Sequence, residues 1–242
     1  MNYSQSERYD RNILMPEIGF EGQKKLANSK VLVCGAGGLG STVLLNLASL
    51  GIGHIGIIDN DIVELSNLNR QYIHSPLYLG KDKVESAKCR IEEFNKDIQI
   101  KTFKTRLNAE NYKNIVDGYN FIVDCFDSFE SKFLLNDIAL DMKIPLVHGG
   151  VTGFCGQVMT IIPKESACLR CILPQDEQEY MVKGIVSPTV STIASIESME
   201  VLKLILNIGE PLINKILVFD GLQMKFKTLN IEHAKSCKCR LN

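Results

Sequence analysis

The 242-residue sequence carries almost no net charge, since 27 basic side chains stand against 28 acidic ones. That balance removes any general electrostatic reason to bind nucleic acid or an anionic membrane surface. No apolar stretch approaches the roughly 18 residues that a membrane helix requires. The opening MNYSQSERYDRN is polar and lacks the apolar core of a signal peptide, so a cytosolic protein is expected. No Pro/Gly/Ser tract or charge run is present that would argue for disorder. Nor is there an internal repeat or a linker, so residues 1–242 are read as one unit, with a change of rhythm near residue 150 rather than a domain boundary.

What is present is a chain with 45% hydrophobic residues, enough to bury a substantial core. It has eight cysteines. Cys34, Cys89, Cys125 and Cys155 stand singly in strand-like or helix-like contexts, where a small buried thiol is expected. The other four are paired as Cys168-x-x-Cys171 and Cys237-x-Cys239. In a cytosolic chain of this length such pairs point to a metal before they point to disulfides.

Hydrophobic periodicity predicts alternating strands and helices through the first two thirds. Strands are expected at Lys30–Gly35, Ile55–Asp59, Ile98–Lys104, Phe121–Asp124 and Pro145–His148. Helices are expected at Leu39–Leu50, Lys81–Phe94, Ala109–Val116 and Lys132–Met142. Such alternation implies right-handed crossovers and a doubly wound, Rossmann-like, mainly parallel α/β sheet. After Gly149 come a strand at Gly156–Ile162, one long helix at Thr189–Asn207 with a mixed face, and a hairpin of Lys215–Asp220 and Met224–Ile231. These extend the sheet with C-terminal antiparallel strands. Leu173–Pro188 lacks periodicity and reads as a loop.

The loop Gly35-Ala36-Gly37-Gly38-Leu39-Gly40 follows the first strand and opens the first helix. Glycines there let the backbone approach a phosphate, and the helix N-terminus supplies free N–H groups. Asp59, 24 residues on from Gly35, is placed to accept hydrogen bonds from a ribose. By itself this motif suits a dinucleotide dehydrogenase, or only a tight structural turn. The segment that follows, Asp59-Asn60-Asp61 through Ser66-Asn67-Leu68-Asn69-Arg70-Gln71, carries more polar chemistry than a dinucleotide needs. Arg70 suits a polyphosphate because its planar fork bonds two oxygens at once, and Lys83 adds a second cation. Asp127 ends the fourth strand where ligands bind in such sheets, and suits magnesium, which takes one or two carboxylates plus phosphate oxygens. The plainer readings are that Arg70 and Lys83 are solvated and that Asp127 caps the following helix. His54, His74, His148 and His233 are dispersed and are read as structural or solvated.

Arg8-Tyr9-Asp10-Arg11-Asn12, the glycine loop, Ser66–Gln71, Lys83-Val84-Glu85-Ser86-Ala87, Asp124-Cys125-Phe126-Asp127 and Cys168-x-x-Cys171 together resemble the ThiF/MoeB/HesA proteins of the ubiquitin-activating enzyme superfamily. The resemblance runs in order over nearly the whole chain. It implies ATP- and magnesium-dependent adenylation of the C-terminal carboxylate of a ubiquitin-like sulfur-carrier protein ending in Gly-Gly. It further implies a nucleotide-binding part at 1–150, a carrier- and metal-binding extension at 151–242, and pyrophosphate as product. Gly35, Gly37, Gly38, Gly40, Asp59, Asp61, Ser66, Asn67, Leu68, Asn69, Arg70, Lys83, Asp127 and Ser128 fall on or beside the family's nucleotide-binding positions. Arg70, Lys83 and Asp127 are also the catalytic candidates. Arg11 matches an arginine that reaches into the partner subunit's site, which implies a homodimer.

Two departures stand out. In the family the first cysteine pair meets a second C-x-x-C to hold a structural zinc, whereas here Cys237 and Cys239 are one residue closer. The loop that in some relatives carries a cysteine able to bond the carrier has none between Pro174 and Ser187. Its place falls near Tyr180 or Met181, which implies that the reaction stops at the adenylate and that a separate persulfide donor supplies sulfur. The resemblance leaves thiamine and molybdopterin pathways open, with Phe154-Cys155-Gly156-Gln157 and Phe219-Asp220-Gly221 leaning to thiamine. A tRNA-modifying relative that activates a small carboxylate, a dehydrogenase and a noncatalytic half of a heterodimer remain the alternatives.

Overall fold

A computed structural model describes residues 7–173, 184–234, 237 and 239. One continuous sheet of eight strands runs in the order β3-β2-β1-β4-β5-β6-β7-β8. β1 (Lys30–Cys34), β2 (His54–Ile58), β3 (Gln99–Phe103), β4 (Phe121–Asp124) and β5 (Leu146–Thr152) pair in parallel. β6 (Cys155–Ile161), β7 (Lys215–Asp220) and β8 (Lys225–Asn230) continue the sheet antiparallel. The expected α/β architecture is therefore present.

Along β1, Val31 and Val33 enter one core and Leu32 and Cys34 the other, the signature of a strand covered on both faces. The first core lies under α3 (Gly38–Leu50) and α8 (Ser187–Leu206), with Leu44, Leu47, Ile193 and Val201 fully buried. The second lies under α6 (Phe129–Met142), through Leu135, Ile138 and Ala139. Three short helices escape the periodicity reading: α1 (Asp10–Ile13), α2 (Gly19–Asn28) and α7 (Leu169–Ile172). The remaining two are α4 (Lys83–Phe94) and α5 (Tyr112–Val116).

Several boundaries differ from expectation for local reasons. Helix α6 starts at Phe129, not Lys132, because the Ser128 hydroxyl accepts the Ser131 N–H at 3.2 Å and caps it. Helix α5 starts at Tyr112, not Ala109, because the Asn108 side chain takes the N–H groups of Glu110 and Asn111, both at 2.9 Å, holding a turn instead. Strand β5 continues past His148 to Thr152, since β6 pairs with it through Gly149 and Gly150. The mixed face of α8 is explained by burial on several sides. Glu200, for instance, accepts from the Thr160 hydroxyl at 2.6 Å and the Leu212 N–H at 2.7 Å. Of the four single cysteines, Cys34 and Cys125 are buried, Cys89 is half-buried and Cys155 is exposed, contrary to expectation. No described helix is long and apolar enough to cross a membrane.

Candidate nucleotide and metal sites

After β1 the chain winds to β2 and β3 and then returns to β4 on the other side of β1. The connections after β1 and β4 therefore diverge, which opens a crevice at the carboxyl ends of the strands. A cleft of about 510 Å³ lies there. Its walls include Gly35, Gly37, Gly38, Asp59, Asp61, Arg70, Lys83, Asp127 and Ser128.

The glycines have separable roles. Gly35 adopts φ +102°, and a Cβ there would come within 2.7 Å of the Cys125 carbonyl, so only glycine fits. At Gly40 a Cβ would collide with the Gly35 carbonyl; this glycine closes the turn against the helix and does not line the cleft. Helix α3 begins at Gly38, so the N–H groups of its first turn have no intrahelical acceptor and are available to an anion. His74 supports the loop from behind. Burial holds its pKa below the ordinary histidine value, so the neutral ring donates from Nε2 to the Ala36 carbonyl at 2.9 Å and accepts the Ser86 hydroxyl at Nδ1 at 2.9 Å.

Asp59 accepts the Ala36 N–H at 2.7 Å on one oxygen and the Asp61 N–H at 2.8 Å on the other. Each oxygen keeps a lone pair for a ligand hydroxyl. Asp61 pairs with Lys83 at 2.9 Å, and the lysine side chain is only 7% exposed. The Arg70 guanidinium is oriented by the Ser66 carbonyl and the Asn69 side chain, both at 2.9 Å. Asn67 is buried, and its side-chain oxygen accepts the Glu64 N–H at 3.1 Å. Ser66, Asn67, Leu68 and Asn69 thus shape the segment that presents Arg70; they are not among the cleft's lining residues.

Asp127 lines the cleft and makes no hydrogen bond or ion pair with a described residue. Because Ser128 supplies the helix cap, the Asp127 carboxylate is left for a ligand, and a free carboxylate in a cleft that Arg70 and Lys83 also line would suit magnesium. Arg11 lies exposed on α1 and is not a lining residue of the chain's own cleft. Sequence reasoning named Gln71 and Phe126 only as members of longer motifs, and missed Arg106 and Lys132 on the cleft wall. Arg106 holds Glu130 at 2.8 Å, and no short motif marks it.

Beneath the cleft lies a buried polar group of residues. Burial alone would raise the Asp124 carboxyl, but the Lys132 ammonium and the His148 ring N–H, at 2.7 Å, hold it below the ordinary range. His148 is itself pushed down by burial, so it is a neutral donor. Glu197 of α8 is fully buried and finds no hydrogen-bond partner among the described residues. Burial pushes its carboxyl well above the ordinary glutamate value.

The second site is made by the paired cysteines, which do not line the cleft. The sulfurs of Cys168, Cys171, Cys237 and Cys239 all lie within 4.8 Å of one another. Cys168 and Cys237 approach to 3.5 Å, as do Cys171 and Cys239. Four thiolates at 2.3 Å from a tetrahedral zinc stand about 3.8 Å apart, so the set fits the ion despite the tight Cys237-x-Cys239 spacing. Without a cation, burial pushes the Cys168 thiol up to about 12, and a divalent ion would favour the thiolate form of the set. The His233 Nδ1 lies 3.6 Å from the Cys239 sulfur. The place expected for a carrier-bonding cysteine, near Tyr180 and Met181, lies outside the described residues.

Comparison with known proteins agrees with this geometry. Residues 9–241 match the model of the ThiF family. The chain is 36% identical to the SAMP-activating enzyme E1 of Haloferax volcanii, covering 98% of this chain and 89% of the relative. It is 37% identical to the adenylyltransferase and sulfurtransferase MOCS3 of Culex quinquefasciatus over 98% of its length, and spans only 55% of that relative. The solved structure of E. coli MccB with ATP superposes with a TM-score of 0.85 and 26% identity, covering 97% of this chain and 75% of MccB. The chain belongs to the ThiF family.

Proposed function

We propose that this protein uses ATP and magnesium to adenylate the C-terminal Gly-Gly carboxylate of a ubiquitin-like sulfur-carrier protein, releasing pyrophosphate, in thiamine, molybdopterin or related sulfur-cofactor synthesis. The observation that carries the reading is the convergence of the α3 N-terminus, Arg70, Lys83 and the unengaged Asp127 on one cleft. The names of the Haloferax and Culex relatives and the ATP-bound MccB structure support it.

The chemistry asks little beyond charge and position. A terminal carboxylate is already ionised at neutral pH and needs no general base, and no histidine lines the cleft among the described residues. Asp59 binds ribose hydroxyls, while the first-turn N–H groups of α3 and Arg70 hold phosphate oxygens. Lys83, preset by Asp61, stabilises charge that builds on the α-phosphate and the departing pyrophosphate. Magnesium held by Asp127 would neutralise phosphate charge and help fix the in-line geometry. Residues 1–150 act as the nucleotide-binding part and 151–242 as the carrier- and metal-binding extension. Cys168, Cys171, Cys237 and Cys239 hold a structural zinc. A second copy supplies Arg11, and the sulfur comes from a separate persulfide donor, because the segment Pro174–Ser187 contains no cysteine.

The test is pyrophosphate–ATP exchange with magnesium ATP and each candidate carrier. Exchange that depends on a carrier and on its Gly-Gly end is expected. No exchange with any carrier, alongside tight NAD binding, would overturn the assignment in favour of a dehydrogenase.

A further inference from the structure

Lys132, like Arg106, is a cleft cation that the nucleotide reading does not use. It sits on the first turn of α6, only 7% exposed, yet it lines the cleft. Its ammonium donates to the Gly149 carbonyl of β5 at 2.6 Å and reaches Asp124 of β4 at 3.4 Å. Asp124 is fully buried, and its other oxygen accepts the Phe126 N–H at 3.2 Å. The four-residue connection Cys125-Phe126-Asp127-Ser128 is therefore clamped at both ends. On one side Asp124 grips Phe126; on the other Lys132 ties the first turn of α6 back to β4 and β5. His148 donates at 2.7 Å to Asp124 Oδ2, the oxygen that Lys132 approaches, which keeps that carboxylate from turning away.

Stability alone does not account for this arrangement. A buried lysine with one carboxylate at 3.4 Å gains little over an apolar side chain of similar length once its desolvation is counted. What the ammonium supplies is a fixed position for the loop that carries Asp127, whose own carboxylate is held by no described residue. Only a clamp on the loop can set where that carboxylate points.

We propose that Lys132 is a positioning residue for Asp127, holding the β4–α6 connection so that the Asp127 carboxylate meets the divalent cation of the bound nucleotide. The inference rests on the reading of Asp127 as a magnesium ligand.

Manganese replaces magnesium as the probe, titrated into protein saturated with a non-hydrolysable α,β-methylene ATP analogue, with free Mn²⁺ followed by EPR. Lys132→Met should weaken Mn²⁺ binding by roughly tenfold or more while the analogue's own metal-free affinity stays within about threefold, since a misplaced ligand affects only the contact it makes. Lys132→Arg, which keeps the charge, should stay within about threefold of wild type. Because Lys132 acts through Asp127, adding Lys132→Met to Asp127→Asn should cost nothing further, the non-additivity expected of coupled residues. Wild-type Mn²⁺ affinity in Lys132→Met, or losses that multiply in the double variant, would overturn the proposal. An Asp127→Asn variant that binds Mn²⁺ normally would sink both this inference and the magnesium reading, whereas a weakened Asp127→Asn with a normal Lys132→Met sinks the inference alone. Should Lys132→Met fail to fold by circular dichroism, Asp124→Asn/Lys132→Met, which removes both buried charges, is judged by the same outcomes.

Discussion

Replacing Glu197 with glutamine should change how the protein's stability depends on pH. Glu197 projects from α8 at Gly149, where an added Cβ would collide with its carboxyl group. Both its oxygens are buried without a described partner. Burial pushes the carboxyl well above the ordinary value, the Asp124 charge pushes it further, and Lys132 opposes only in part. The folded protein thus holds a proton that the unfolded chain releases near pH 4.3. With the folded pKa raised, this contribution to stability is complete below the unfolded value and is lost as pH rises towards the folded one. The slope is about 1.4 kcal/mol per pH unit within that window. Each pH unit within the window thus costs the wild type roughly 3–6 °C in Tm for a chain of this length. Glu197→Gln preserves the shape and removes the proton. Thermal melts of both proteins in matched buffers from pH 5 to 8 should show the variant gaining on the wild type as pH rises. A difference in Tm that stays constant across that range would refute the claim that Glu197 is buried as the neutral acid.

Three other outcomes follow from the sites. Metal analysis should find about one zinc per chain, and Cys237→Ser/Cys239→Ser should lose it together with several kcal/mol of stability, read as a lowered Tm that chelator reproduces in the wild type. Gly40→Ala drives a Cβ into the Gly35 carbonyl, whereas at Gly37 the nearest atom is 3.7 Å away. ATP affinity by calorimetry should therefore fall by about 100-fold for Gly40→Ala and far less for Gly37→Ala. If Arg11 serves the partner's cleft, Arg11→Ala and Lys83→Met should each be inactive in carrier-dependent exchange. Mixing them should then restore about one quarter of wild-type activity through heterodimers with one intact site; no recovery after verified subunit exchange would place Arg11 outside the partner's site.

Much of this protein can be read from local pattern. The parallel strands were legible because a strand covered on both faces must be a short apolar run, as Val31–Cys34 is. The glycine loop and Asp59 were legible because close backbone approach admits few residue types. The paired cysteines stood out in the same way, because two thiols at such short spacing can turn towards one point, as a metal site needs.

Other features depend on which distant segments meet. Arg106 and Lys132 line the cleft from the ends of β3 and α6 with no motif around them. The segment Ser66–Asn69 reads as a row of equal candidates, yet it folds so that Arg70 faces the cleft while Asn67 turns inward to hold the backbone. Sequence spacing left closure of the Cys237-x-Cys239 pair undecided. The structure brings all four sulfurs within 4.8 Å because Cys237 and Cys239 join Cys168 and Leu169 in the second core. The unpartnered acid at Glu197 depends on Gly149 lying opposite it, a pairing between residues 48 positions apart. Periodicity and short motifs record what a residue does to its neighbours along the chain. A cleft wall, a four-sulfur cluster and a buried charge are set by the crossing of elements, and those relations exist only once the sheet has formed.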